Sequence, residues 1–192
     1  MQYYNPNLII STFFGVGFLS KKFPGTIGSI VGIPVGYGLF QLSYMINTYL
    51  SLDELSTVFL PLIFITVFLW ILGGYAAHKY SRATGKLDPK EVVIDEVLGQ
   101  ALVLMVTVPI TLALIQEASR NREIIFSFDP VIACVVVSFV LFRIFDIVKP
   151  WPIRWVDKKL KIGAGIMLDD LLAAVFAIVV YLAIALSAVD RF

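Results

Sequence analysis

The sequence predicts an all-α fold, an integral membrane bundle of about five transmembrane helices. Three observations predict it. Hydrophobic residues make up 59% of the 192 residues and charged residues 15%. Mean hydropathy is +0.89. Five apolar segments run 28–50, 58–77, 97–116, 131–149 and 170–188, each close to the ~20 residues that cross about 30 Å of hydrocarbon as a helix. Backbone groups in lipid must pair internally, which favours helices. A soluble average is about 45–50% apolar, so a water-exposed globule, a disordered chain and a fibrous repeat are excluded. The chain, 1–192, reads as a single domain.

The first apolar stretch, 8–19, is too short to span and is expected to be interfacial or re-entrant. Lys21 and Lys22 follow it, the wrong order for a cleaved signal peptide. In the first span Gly28, Gly32 and Gly36 recur every four residues, beside Pro34 and Gly38. That small-residue stripe suits close approach of another helix. The second span ends at His78, the only histidine, expected to be an ordinary interfacial residue. The fourth span contains the one cysteine, Cys134, expected to be a buried, inert thiol. Pro150, Trp151, Pro152 and Trp155 follow that span. Proline stops the helix, and tryptophans at this position suit anchoring at headgroup level.

Five spans place the amino terminus, 78–96 and 150–169 on one side. Twelve basic residues fall there, Arg143 and Lys149 at its helix edge included, against Arg120, Arg122 and Arg191 on the other. The positive-inside rule makes the richer side cytoplasmic. Net charge is only +1, so nucleic acid is not an expected partner.

The acidic residues converge on the same side. Asp95 and Glu96 start the third span, Asp146 lies near the end of the fourth, and Asp169 and Asp170 open the fifth. Acids at a helix start can simply cap it. Asp146 sits at a helix carboxyl end, where the dipole disfavours it, so it needs a partner: Arg143 or Lys149, a metal, or substrate. Clustered carboxylates repel unless a cation sits among them, and oxygen-rich sites favour hard ions such as Mg2+. Arg143 and Lys149 can neutralise an anion. The residues therefore point to a Mg2+-assisted phosphoryl site at the membrane surface. A weaker signal is FPGTIGS at 23–29, a Pro-Gly turn leading into the first span, with Gly25, Thr26 and Ser29 placed to receive phosphate.

In order, FPGTIGS (23–29), LDPKEVVIDEVLGQ (87–100), FRIFDIVKPWPI (142–153) and GIMLDD (165–170) resemble the phosphatidylglycerophosphatase A family over about residues 12–180. The resemblance implies a bacterial, Mg2+-dependent enzyme of the cytoplasmic membrane that converts phosphatidylglycerophosphate to phosphatidylglycerol. It implies that Asp95, Glu96, Asp146, Asp169 and Asp170 hold the metal and take part in catalysis. Arg143 and Lys149 become phosphate partners, with Gly25, Thr26 and Ser29 in the substrate-binding segment. Phe23, Lys21–Lys22 and Ala174 depart from the family's usual residues.

Other lipid-phosphate chemistries lack their residues. One histidine is too few for histidine-based membrane phosphatases. Cys134 lacks an arginine six positions on, and DxDx[TV] and DGxxAR are absent. The alternative of another class is a cation transporter or channel using the acids as its ion site. Its site belongs near the bilayer midplane, whereas these acids gather at one interface.

Overall fold

The computed structural model describes residues 5–50, 55–86, 89–121, 129–159 and 164–189, without the side chains of 47, 50, 55–63, 119–121, 164–166 and 188–189. The elements are α1 (Pro6–Ser11), a 3-10 turn (Val16–Phe18), α2 (Pro24–Leu50), α3 (Leu55–Thr84), α4 (Ile94–Asn121), α5 (Pro130–Val148), α6 (Ile153–Lys159) and α7 (Ala164–Val189). The fold is all-helical, and five long helices coincide with the five expected segments. Among the described residues, stretches of α2, α4, α5 and α7 are long and apolar enough to cross a membrane. The side chains of 58–63, the start of the expected second span, lie outside the described set, as do Leu87, Asp88, Arg122, Lys161 and Arg191 and the side chain of Arg120.

α4 is the centre of the bundle. It packs against α2, α7, α5 and α3. Its apolar window is 56% buried, against 17% for α5. Val97, Leu98, Ala101, Val103, Leu104 and Val108 bury almost completely, which wraps apolar contact around the helix rather than along one stripe. Polar ties join it to its neighbours. Thr107 meets Ser138 of α5 at 2.9 Å, and Thr111 hydrogen-bonds Tyr181 of α7. Such bonds between helices contribute about 0.6–2 kcal/mol each in lipid.

The glycine stripe of α2 faces α4. A Cβ on Gly32 would lie 2.7 Å from the Val97 carbonyl oxygen, and one on Gly36 2.8 Å from Ala101 Cα. No real side chain fits there, so these glycines set the distance between the two helices.

α2 begins at Pro24, four residues before the expected span. Pro24-Gly25-Thr26 is therefore the first turn of the helix, not a loop leading to it. Proline suits that position, because its missing N–H would lack a helical partner anyway. α7 begins at Ala164, so Asp169 and Asp170 lie in its second turn rather than at its start. α5 opens on Pro130 behind Asp129, whose carboxylate accepts from Val131 N at 2.8 Å.

The 8–19 stretch is not a span. α1 is six residues long. Phe13, Phe14 and Gly15 then take left-handed conformations, and Thr12 Oγ1 secures the turn by accepting from Gly15 N at 3.1 Å. The segment folds back onto the bundle. Leu8 and Phe13 pack on a cluster containing Trp70, Tyr80 and Leu98, and Val93 N donates to Ser11 O at 3.0 Å.

Candidate active site

Four helix ends meet at one end of the bundle: the starts of α2, α4 and α7, and the finish of α5. α4 brings Asp95 and Glu96. Consecutive helical residues point about 100° apart, so one continuous helix serves two directions. Asp95 is buried, and its Oδ1 accepts the Glu96 N–H at 3.1 Å. Glu96 extends beneath the first turn of α2. Gly25 leaves room for it: a Cβ there would run into the Glu96 carboxylate and lie 3.5 Å from Arg143 Nη1.

α7 brings Asp169 and Asp170, both buried. Asp95, Glu96 and Asp170 each offer an oxygen within 4.8 Å of the others. Asp170 also feels Asp146 and Asp169. Carboxylates this close repel strongly in a medium of low dielectric. Two buried oxygens, Glu96 Oε2 and Asp169 Oδ1, have no hydrogen-bond partner. An orphaned buried acceptor costs about 1–3 kcal/mol, more when charged. Hard oxygen donors with unused lone pairs are what a divalent cation of the Mg2+ class takes, so this donor set fits such an ion.

α5 supplies the cations. Arg143 pairs with Asp146, one turn along the same helix. Its guanidinium also donates to Ser29 Oγ at 3.2 Å and to Thr26 Oγ1 at 3.4 Å. Ser29, fully buried, spends its own proton on Gly25 O at 3.0 Å. One planar guanidinium thus joins the α2 hydroxyls to the end of α5, a geometry that a lysine ammonium cannot reproduce.

Lys149 closes α5 in a left-handed conformation, φ 46°. Pro150 disfavours the helical region for the residue before it, and a left-handed residue there lets Lys149 N reach Phe145 O at 2.9 Å. A non-glycine residue loses about 1–2 kcal/mol in this conformation. Two charge-assisted hydrogen bonds offset it. Lys149 Nζ donates to Asp169 Oδ2 at 2.5 Å and to Asp157 Oδ1 of α6 at 2.8 Å.

All seven expected charged residues therefore meet, but in two groups. Asp95, Glu96 and Asp170 form the close set of oxygens. Asp146 and Asp169 border it with one oxygen each held by a cation. Of the two partners considered for Asp146, the structure selects Arg143, and Lys149 goes to α6 and α7 instead. Thr26 and Ser29 come together through Arg143, whereas Gly25 serves by having no side chain. Cys134 is buried. Trp151 and Trp155 are exposed, as headgroup anchors would be. Asp157 is a partner that sequence reasoning did not single out. It sits among Arg154, Lys158 and Lys159, where it looks like one more solvated charge. Gln100 also went unremarked. It is one turn beyond Glu96 and fully buried, with both amide atoms unpartnered; only its place on the spacing Glu96, Gln100 pointed to this face.

A family model described as phosphatidylglycerophosphatase A matches residues 9–185. The chain belongs to the phosphatidylglycerophosphatase A family. Among curated relatives, the phosphatidylglycerophosphatase A of Haemophilus influenzae is 35% identical over 94% of this chain and 89% of its own. The Escherichia coli protein of the same name is 32% identical over 90% of this chain and 80% of its own. A putative phosphatidylinositol-3-phosphatase of Bacteroides thetaiotaomicron is 31% identical over 90% of this chain and 89% of its own. No solved structure matches. Membership in phosphatidylglycerophosphatase A makes the chain a lipid phosphatase, a phosphoric monoester hydrolase, and sets aside the cation-carrier alternative. All seven charged residues of the site lie inside the matched stretch.

Proposed function

We propose that this chain, acting as a single domain, hydrolyses the terminal phosphomonoester of phosphatidylglycerophosphate, leaving phosphatidylglycerol and phosphate. The observation that carries the reading is the juxtaposition of three carboxylates with the Arg143–Thr26–Ser29 cradle, within a chain that matches the family across residues 9–185. Asp95, Glu96 and Asp170 would hold Mg2+, and Asp146 and Asp169 would complete its acidic surroundings. When bound there, such an ion would supply Lewis acidity for phosphoryl chemistry.

The remaining work falls to side chains. Arg143 presents its fork to two phosphoryl oxygens, held in place by Asp146. Thr26 and Ser29 line the same cradle. Lys149 orients Asp169 through Oδ2. That leaves Asp169 Oδ1 to accept a proton from the attacking water as it bonds to phosphorus and to return that proton to the departing glycerol oxygen as its bond to phosphorus breaks. The site faces the cytoplasm at the bacterial inner membrane, a placement supported by the basic residues around it.

Phosphate release from phosphatidylglycerophosphate in detergent micelles tests the proposal, with Mg2+, with EDTA, and with Asp170→Asn. Release that depends on Mg2+ and is lost in the variant supports it. Folded protein that releases no phosphate overturns it. Phosphatidylinositol 3-phosphate belongs in the same assay, because the Bacteroides relative's name specifies that lipid.

A further inference from the structure

Near the carboxylates lies a cavity built from different residues. It measures about 470 Å3 and is lined in part by Phe18, Lys21, Pro24, Lys86, Lys90 and Glu91. Three lysines face one glutamate. Glu91 is already engaged, accepting from Lys86 Nζ at 2.8 Å and from the Tyr80 hydroxyl at 3.0 Å. The net positive charge of the cavity therefore comes from Lys21 and Lys90. Neither lysine belongs to the phosphate cradle.

The cavity adjoins the active site through consecutive residues. Pro24 lines it, and Gly25 abuts the Glu96 carboxylate and Arg143. Its rim is apolar. Phe14, Leu19 and Phe23 are 79%, 74% and 66% exposed, flanking Phe18 and Lys21 in the chain. Large apolar side chains beside lysines suit a membrane interface, where each finds its own phase. A free anion in water would have no use for that rim.

The proposed substrate carries two phosphates separated by one glycerol. The terminal monoester is cleaved, and the inner phosphodiester continues into the glycerol backbone and acyl chains. We propose that the Lys21–Lys86–Lys90 cavity binds this inner phosphodiester, with the Phe14–Phe18–Leu19–Phe23 rim against the acyl-glycerol end. The inference rests on the phosphatase reading. It makes the protein a reader of both phosphates, so a headgroup with a single phosphate engages only half of the site.

The test uses full-length protein in mixed micelles and the double variant Lys21→Ala/Lys90→Ala. Both lysines are exposed, so the fold is retained. Three constants are measured: KM for phosphatidylglycerophosphate, Ki for phosphatidylglycerol, which keeps the phosphodiester alone, and Ki for inorganic phosphate, which lacks it. Two exposed charge contacts are together worth about tenfold. KM and the phosphatidylglycerol Ki should each rise about tenfold, while the inorganic phosphate Ki holds. An unchanged KM overturns the proposal. So does a parallel rise in all three constants, which marks a general surface potential. Phosphatidylglycerol retention by wild type and variant, read by native mass spectrometry, needs no turnover. A wild type that releases no phosphate but loses phosphatidylglycerol on Lys21/Lys90 substitution would sink the phosphatase reading and leave the cavity assignment standing.

Discussion

Arg143 donates to the Ser29 hydroxyl across 3.2 Å, tying the end of α5 to the second turn of α2. The two residues lie 114 positions apart in the chain. The same guanidinium also holds Asp146 and reaches Thr26, so one side chain organises the cradle proposed for phosphate.

Arg143→Lys should therefore fail despite keeping the charge. An ammonium on a shorter reach cannot serve Ser29, Thr26 and Asp146 together. Removing one aligned donor from a developing charge costs about 10²–10³-fold in kcat, and a fall of about 100-fold is expected. Unchanged circular dichroism would show that the bundle persists. A variant within threefold of wild type would remove Arg143 from the site.

Metal dependence should follow the grouping of oxygens. Glu96→Gln and Asp170→Asn each remove a charge from the close set. Each should weaken Mn2+ binding, followed by electron paramagnetic resonance, by at least about tenfold. Asp157→Asn removes a partner of Lys149 outside the close set and should leave Mn2+ affinity within about threefold. Equal losses in all three variants would contradict the confinement of the metal to the close set.

Gly25→Ala should act on the site more than on the fold. Its added methyl meets the Glu96 carboxylate, the end of a side chain, so the clash is relieved by displacing a proposed metal ligand. Activity should drop about 100-fold, the scale of a 1 Å misplacement, with the thermal midpoint changed by only a few degrees. A large loss of midpoint with activity intact would reverse the assignment.

Glu91 gives a pH dependence. Burial alone would raise its carboxyl, but hydrogen bonds from Lys86, its own backbone and Tyr80, together with the Lys86 charge, bring it below the ordinary value. A carboxylate depressed in the folded state stabilises above its unfolded pKa, about 4.3, and loses that contribution as pH falls through the folded value. Wild type and Glu91→Gln should differ in thermal midpoint at pH 7 and converge as pH falls through and below the ordinary carboxylate range. A constant difference down to pH 3 would exclude the linkage.

The charges of the site were legible because each interrupts an apolar run, where a carboxylate needs a reason. Three-residue spacing offered both Arg143 and Lys149 as partners for Asp146 and could not choose between them. The Lys149–Asp157 contact was not legible, since it requires α6 to fold back after Pro150, and nothing local to Asp157 separates it from a solvated charge. The glycine stripe revealed that α2 meets another helix but not which one. Choosing α4 takes the whole bundle. The early start of α2 was hidden by Pro24-Gly25, which reads equally as a turn or as the first residues of a helix. Lys86 and Lys90 looked like ordinary cytoplasmic positive charge, because their convergence with Lys21 depends on the backward fold of 8–19.

The contact between α2 and α4 also bears on how the gene can drift. Every missense change in a glycine codon adds at least a methyl group. At Gly32 and Gly36 that methyl meets α4 at 2.8 Å or less, so none of the single-base neighbours of those codons encodes a residue that fits without moving the helices. Gly38, with nothing within 4 Å, accepts alanine and serine freely. A saturation library selected for lipid phosphatase activity would show silent-only codons at Gly32 and Gly36 within two turns of one that varies, and those two codons mark the seam on which the bundle is assembled.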